Sequence, residues 1–218
     1  MKRDFWLERW EREEIGFHQD EVNPYLCKFW PGLAFARDST VFVPLCGKSQ
    51  DMLWLNGQGH QVLGVELSAI AVQAFFKDNG YIPRQINDGK FDRYEVNGIC
   101  ILHGDFFDLS KDELTKVSVV YDRASLIALP PDMRTSYARH LAVILPPATR
   151  ILLVAVDYPQ QEMLGPPFSV TMDEVETLYR NYADIQLLAS QDVLAQNPRF
   201  QQRGLSRLRE NVFLLTLR

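Results

Sequence analysis

Apolar and polar positions change rhythm along this chain. Residues 4–14, DFWLERWEREE, set Trp6 and Trp10 one helical turn apart on one face, which predicts a short helix. A polar connector, GFHQDEVNP, leads to a second short helical segment, YLCKFWPG, which Pro31-Gly32 is expected to end. From Thr40 onward strands and helices alternate. TVFVPL is an apolar, β-branched run that reads as a buried strand. KSQDMLWLNGQG reads as a helix closed by glycine, and HQVLGVEL as a second strand. SAIAVQAFFKDNG carries a serine cap at its start and Asn-Gly at its end. FDRYEV and ICILHGDFF flank Asn97-Gly98, the signal of a tight hairpin. KVSVVYDRAS and TRILLVAVDY are further apolar strands. The helix PPDMRTSYARHLAVIL lies between them, with proline in its first turn. MDEVETLYRNY is a last helix, and ADIQLLASQDV and ENVFLLTL are two final strands.

Strands alternating with helices predict a mostly parallel sheet covered on both faces. The two final strands are joined by a polar connector and are expected to pair antiparallel at a sheet edge. The prediction is therefore an α/β, Rossmann-like fold. Its sheet has seven strands, mostly parallel, with an antiparallel C-terminal strand. No repeat or linker interrupts the pattern. Residues 1–218 are read as a single domain, with residues 1 to about 35 as a helical extension.

Composition narrows the function. A formal net charge of −5 without a lysine/arginine block argues against a nucleic-acid partner. No run of about 18 apolar residues occurs, and the charged start lacks the apolar core of a signal peptide. Three widely spaced cysteines form no disulfide framework, so a reducing, cytoplasmic setting is expected. His18, His60, His103 and His140 lack ligand spacing, so no metal is expected. With no long apolar seam, a monomer is expected.

In open α/β sheets, ligands bind beyond the carboxyl ends of the strands. Four features fall there: the turn Pro44-Leu45-Cys46-Gly47, Glu66, Asp105-Phe106-Phe107, and Asp122-Arg123. Glu66 follows the turn by about twenty residues, where an acid accepts ribose hydroxyls; the plainer alternative is a solvated glutamate before a cap serine. Asp105 with Phe106 suits an adenine, polar at one edge and apolar beneath; the alternative is a turn acid and a core aromatic. The turn has one glycine where dinucleotide loops have three, and Pro44 has no N–H to offer a pyrophosphate. An adenosyl cofactor without phosphates therefore fits better than NAD or FAD, and S-adenosylmethionine is the common one. Cys46 reads as small-residue packing rather than as a nucleophile.

FVPLCGKSQDMLWL, GHQVLGVELS and YDRASLIAL, preceded by WLERWEREEIGFH, resemble the thiopurine S-methyltransferase family in its bacterial form, from Trp6 to the FLLTL ending. The resemblance implies a class I S-adenosylmethionine-dependent methyltransferase fold. It also implies methyl transfer to the sulfur of aromatic and heterocyclic thiols such as 6-mercaptopurine. It extends to selenium and tellurium compounds, and hence to tellurite resistance. Carried onto this chain, it puts cofactor contacts at Trp10, Leu45, Glu66 and Arg123, with Asp105 and Phe106 flanking the adenine. Substrate-side positions are Phe17, Arg123 and Arg199, with Arg123 the catalytic candidate. The extension becomes a lid over the cofactor, with Trp10 in it. The partner is a small-molecule thiol, with neither nucleic acid nor membrane. Two alternatives stay open at this point: a noncatalytic adenosyl-binding module, and a nicotinamide-dependent oxidoreductase on a similar sheet.

Overall fold

The computed structural model describes residues 3–218, apart from the side chains of Arg3 and Asp88. Residues 1–2 of the expected N-terminal extension lie outside the described residues. The chain divides into two compact units, one running to Val120 and one beginning at Tyr121.

In the first unit, helices α1 (Arg3–Glu11) and α2 (Pro24–Phe29) precede β1 (Thr40–Val43), α3 (Asp51–Gly57), β2 (Gln61–Glu66) and α4 (Ala69–Asp78). Strands β3 (Arg84–Asp88), β4 (Phe91–Val96), β5 (Ile99–His103) and β6 (Val117–Arg123) follow, and β6 passes into the second unit after Val120. The order is β3-β4-β5-β2-β1-β6. Strand β1 pairs parallel with β2 and β6, and β2 pairs parallel with β5. The helix signals act as expected at α4, where the Ser68 hydroxyl accepts from Ala71 N at 3.3 Å. Pro31-Gly32 does not end its segment. Pro31 instead opens a single 3-10 turn, Trp30–Leu33, because proline is tolerated where the N–H has no helical partner.

The second unit holds α5 (Ser125–Ala128), α6 (Pro131–Ile144), β7 (Arg150–Asp157), α7 (Met172–Tyr179), β8 (Ala183–Asp192), α8 (Pro198–Gln202) and β9 (Arg209–Leu217). Its strand order is β7-β9-β8, and β9 is antiparallel to both neighbours, as the final strands predict. Thr171 caps α7 by accepting from Glu174 N at 3.1 Å.

The strands read from the sequence number eight: β1, β2, β4, β5 and β6, with β6 passing into the second unit, and β7, β8 and β9; the expected count of seven leaves out the hairpin strand β4. Strands β3 and β4 add an antiparallel ribbon beside β5. The β4–β5 hairpin turns at Asn97 and Gly98, both at positive φ (49° and 84°) as a two-residue hairpin requires. Strand β3 was not predicted, because RQIND is polar and too short to show an alternation.

Strand β2 is buried along Val62–Glu66, and Cys46 packs directly over Gly64. A Cβ at Gly64 would lie 2.7 Å from Cys46 Sγ and 3.3 Å from Met52 Sδ. Gly64→Ala is therefore expected to destabilise the fold by about 1–3 kcal/mol through overpacking. Adding Cys46→Ala should recover part of the loss. Denaturant melts of the two single variants and the double variant measure both effects.

Candidate functional site

The turn after β1 is wound tightly. Leu45 sits at φ 46° and Gly47 at φ 52°, and the left-handed region is unusual for a leucine. Cys46 N donates to Val65 O at 3.0 Å, which pins the turn to β2. Gly47 N donates to Glu66 Oε2, and Ser68 N to Glu66 Oε1, both at 2.8 Å. The N–H groups of Cys46 and Gly47 are thus engaged within the protein, not offered to a pyrophosphate. Helix α3 adds to this. Asp51 occupies its first turn, almost wholly buried, and its carboxylate accepts from Asn23 N at 2.7 Å. An acid already at the helix N-terminus repels an incoming phosphate.

Glu66 is 8% exposed. Burial raises its pKa, while the N–H groups of Ser68, Gly47 and Leu67 and the imidazole of His103 pull it down. Oε2 accepts from Gly47 N and Oε1 from Ser68 N, and the carboxylate keeps acceptor capacity for ribose hydroxyls. His103 pairs with Glu66 in register across β5–β2 and lies 3.6 Å from Asp92.

Trp10 covers this turn. Its indole lies against Gly47, 3.4 Å from where a Cβ would stand, and Gly47 itself is left-handed at φ 52°. The ring is 6% exposed and meets Phe17 edge-on at 5.7 Å, while Trp6 meets the same Phe17 at 5.4 Å. Phe17 itself remains 40% exposed. Gly104 N donates to Glu66 O at 2.9 Å, so the turn after β5 is tied to the end of β2. Asp105 follows and accepts from Phe107 N at 2.9 Å. Phe106 is buried and Phe107 is the partly exposed ring of the pair.

Trp10, Phe17, Leu45, Glu66, Asp105 and Phe106 thus all belong to the first unit. Linked contacts join Phe17, Trp10, Gly47 and Glu66, and the Gly104–Glu66 bond brings in the Asp105 turn. Arg123 and Arg199 belong to the second unit. Arg123 is the last residue of β6 and is half-buried, whereas Arg199 is exposed on the short helix α8. A neighbour of Arg199 in the same arginine-rich segment, Arg207, grips Asp157 with both nitrogens at 3.1 Å. A groove of about 510 Å³ in the second unit, lined by Met172, Arg180, Leu187 and Phe213 among others, contains none of the predicted site residues.

Several contributors were invisible to sequence reasoning. Asp51 and His103 are ordinary polar residues in the chain and acquire meaning only by burial and cross-strand register. Cys46 is buried and its thiol pKa is pushed well up, which opposes a nucleophilic role. Among the described residues no group of three His, Cys, Asp or Glu side chains could hold a metal. His60 instead accepts from Trp30 Nε1 and pairs with Ser39 Oγ, each at 3.0 Å.

The residues fit an adenosyl cofactor. There is an acceptor pair for a ribose diol, an aromatic cover over a side-chain-free glycine, and no free phosphate cradle in the turn. Glu66→Gln would turn an amide NH2 against Gly47 N–H or Ser68 N–H. Titration calorimetry should show S-adenosylhomocysteine binding about tenfold or more weaker in that variant. A second expectation concerns Asp122, next to Arg123, whose pKa burial raises from 3.8 to about 6. The folded state then binds more protons than the unfolded one between these values. Its contribution is full below pH 3.8 and is lost as pH rises through 6, by about 3 kcal/mol. Melts of wild type and Asp122→Asn across pH 4–7 should differ by this slope.

Known proteins match over the whole chain. The family model described as "Thiopurine S-methyltransferase (TPMT)" covers residues 1–218. A thiopurine S-methyltransferase of Nitrosospira multiformis is 62% identical over 218 residues, covering 100% of this chain and 99% of the relative. That of Azotobacter vinelandii is 51% identical, covering 100% of both. Among solved structures, a SAM-dependent methyltransferase from Anabaena variabilis aligns with TM-score 0.66 at 12% identity, over 99% of this chain and 95% of that one. The fold is thus that of class I S-adenosylmethionine-dependent methyltransferases, and the chain belongs to the thiopurine S-methyltransferase family.

Proposed function

We propose that this chain is an S-adenosylmethionine-dependent thiol methyltransferase acting on aromatic and heterocyclic thiols such as 6-mercaptopurine. The observation that supports it is the Gly47–Glu66–Trp10 arrangement, which fits an adenosyl group and engages the turn's N–H groups within the protein, in a member of this family. The same arrangement disfavours a nicotinamide dinucleotide. We extend the reading to selenium and tellurium compounds, and with them to tellurite resistance. We further read residues 1–218 as one methyltransferase domain, monomeric and cytoplasmic, with residues 1 to about 35 as its lid.

When bound, the cofactor supplies an electrophilic methyl on a sulfonium, whose charge is cancelled as a thiolate takes the methyl. Glu66 accepts the ribose hydroxyls through its remaining lone pairs. Asp105 and Phe106 flank the adenine, and the Leu45 turn lies beside the cofactor. Trp10 shuts out water and presents its π-face to cationic groups. Phe17, half in solvent and backed by Trp6 and Trp10, offers an apolar wall to a ring substrate. Arg123 holds the anionic substrate by charge-assisted bonds, and Arg199 supplies a second cation at the substrate side. No side chain is required as a base, because heterocyclic thiols are already acidic.

Radiolabelled-methyl transfer to 6-mercaptopurine is the test. Wild type is expected to transfer label. Arg123→Ala should lose about tenfold or more in kcat/KM at an unchanged melting temperature. Cofactor binding without transfer to any thiol would instead favour a noncatalytic adenosyl-binding protein.

A further inference from the structure

Arg123 stands between two unusual neighbours. Asp122 is fully buried (0% exposed), and Ala124 is left-handed at φ 71°. A residue with a Cβ holds that conformation only where its surroundings over-determine it. Here helix α6 grips the segment at both ends. Tyr137 Oη donates to Asp122 Oδ2 at 2.7 Å. Arg134, three residues earlier and on the same face of the helix, is also almost fully buried. Its Nε donates to Leu126 O at 3.1 Å and Leu129 O at 2.8 Å. The guanidinium is held in turn by the Glu174 carboxylate of α7 and lies 5.8 Å from the Phe168 ring centroid. Ser125 turns its backbone and hydroxyl toward the same Asp122 carboxylate. These hydrogen bonds favour the ionised Asp122, and protonation weakens them.

We propose that Asp122 and Tyr137, braced by Arg134, are positioning residues for Arg123: their buried hydrogen bonds hold the turn from which its guanidinium is presented to ligand. The proposal rests on the reading of Arg123 as a ligand-facing residue. It assigns the neighbours a role distinct from contact.

The groups facing the Asp122 carboxyl are Tyr137 on α6, Tyr179 on α7 and Ser125 on α5. Burial pushes both tyrosine pKa values well up, so they stay neutral, and Asp122 titrates alone in this cluster near pH 6. Removing the Tyr137 hydroxyl removes a donor to the charged form and raises the Asp122 pKa further.

The experiment is calorimetric titration of the full chain with S-adenosylhomocysteine from pH 5 to 8, for wild type, Tyr137→Phe, Asp122→Asn and Arg123→Ala, with a melting curve for each. Affinity of wild type is expected to fall below a midpoint near pH 6. Tyr137→Phe should move that midpoint upward by roughly one pH unit. Asp122→Asn should bind about tenfold more weakly, without that midpoint. A Tyr137→Phe protein that melts earlier but keeps the wild-type midpoint and affinity would reduce the cluster to a structural role and overturn the proposal. So would wild-type affinity that is flat across pH 6. If Arg123→Ala binds as wild type does, the reading of Arg123 itself fails and the proposal goes with it. If Arg123→Ala is weakened while Tyr137→Phe and Asp122→Asn are not, only the positioning role fails.

Discussion

One buried carboxylate organises the first unit. Glu66 lies at the end of β2, where solvation would ordinarily hold an acid, yet it is almost fully covered. Burial raises its pKa, and backbone N–H groups oppose that rise, those of Gly47 and Ser68 reaching its two oxygens at 2.8 Å. These bonds join the turn after β1 to the turn before α4, so a single side chain sets the spacing of both. The rest follows from that spacing. Cys46 is drawn over Gly64, and Leu45 is forced left-handed. Gly47 is left-handed at φ 52°, and Trp10 lies against it. An acid so held is also a prepared acceptor, since its orientation is fixed before a ligand arrives.

The second unit repeats the device with different parts. Asp122 is buried at the end of β6, accepts from Tyr137, and precedes a left-handed alanine. Leu45 and Ala124 are each non-glycine residues at positive φ in turns that follow strands of the sheet. Backbone strain of this kind persists where hydrogen bonds and packing enforce it, and it concentrates where a ligand has to be met in a set geometry.

Much of the fold was legible because its signals are local. Ser68, Asn97-Gly98 and Pro131 each act through the residues beside them, and each sits where its sequence pattern placed it. The central strands were legible because a buried strand needs an unbroken apolar run. Strand β3 and helix α5 were not, since each is short and gains its place from neighbours distant in the chain. For the candidate site, the glycine turn and Glu66 could be read from spacing, while Trp10 entered through the family resemblance. The buried Asp51, the His103–Glu66 pairing and the Tyr137–Asp122 bond could not, because nothing local distinguishes a buried acid from a solvated one.

The sequence by itself determined the alternation of the main strands and helices, the hairpin, the family and the class of cofactor. Each of these depends on residue type at short spacing, or on a pattern carried by the whole chain. The tertiary structure alone decided how the turn's N–H groups are used, that Trp10 rests on Gly47, and that the acid before Arg123 is fully buried. Those outcomes turn on which groups lose water and which donors reach them. That is a property of residues brought together by the sheet, not of residues adjacent in the chain.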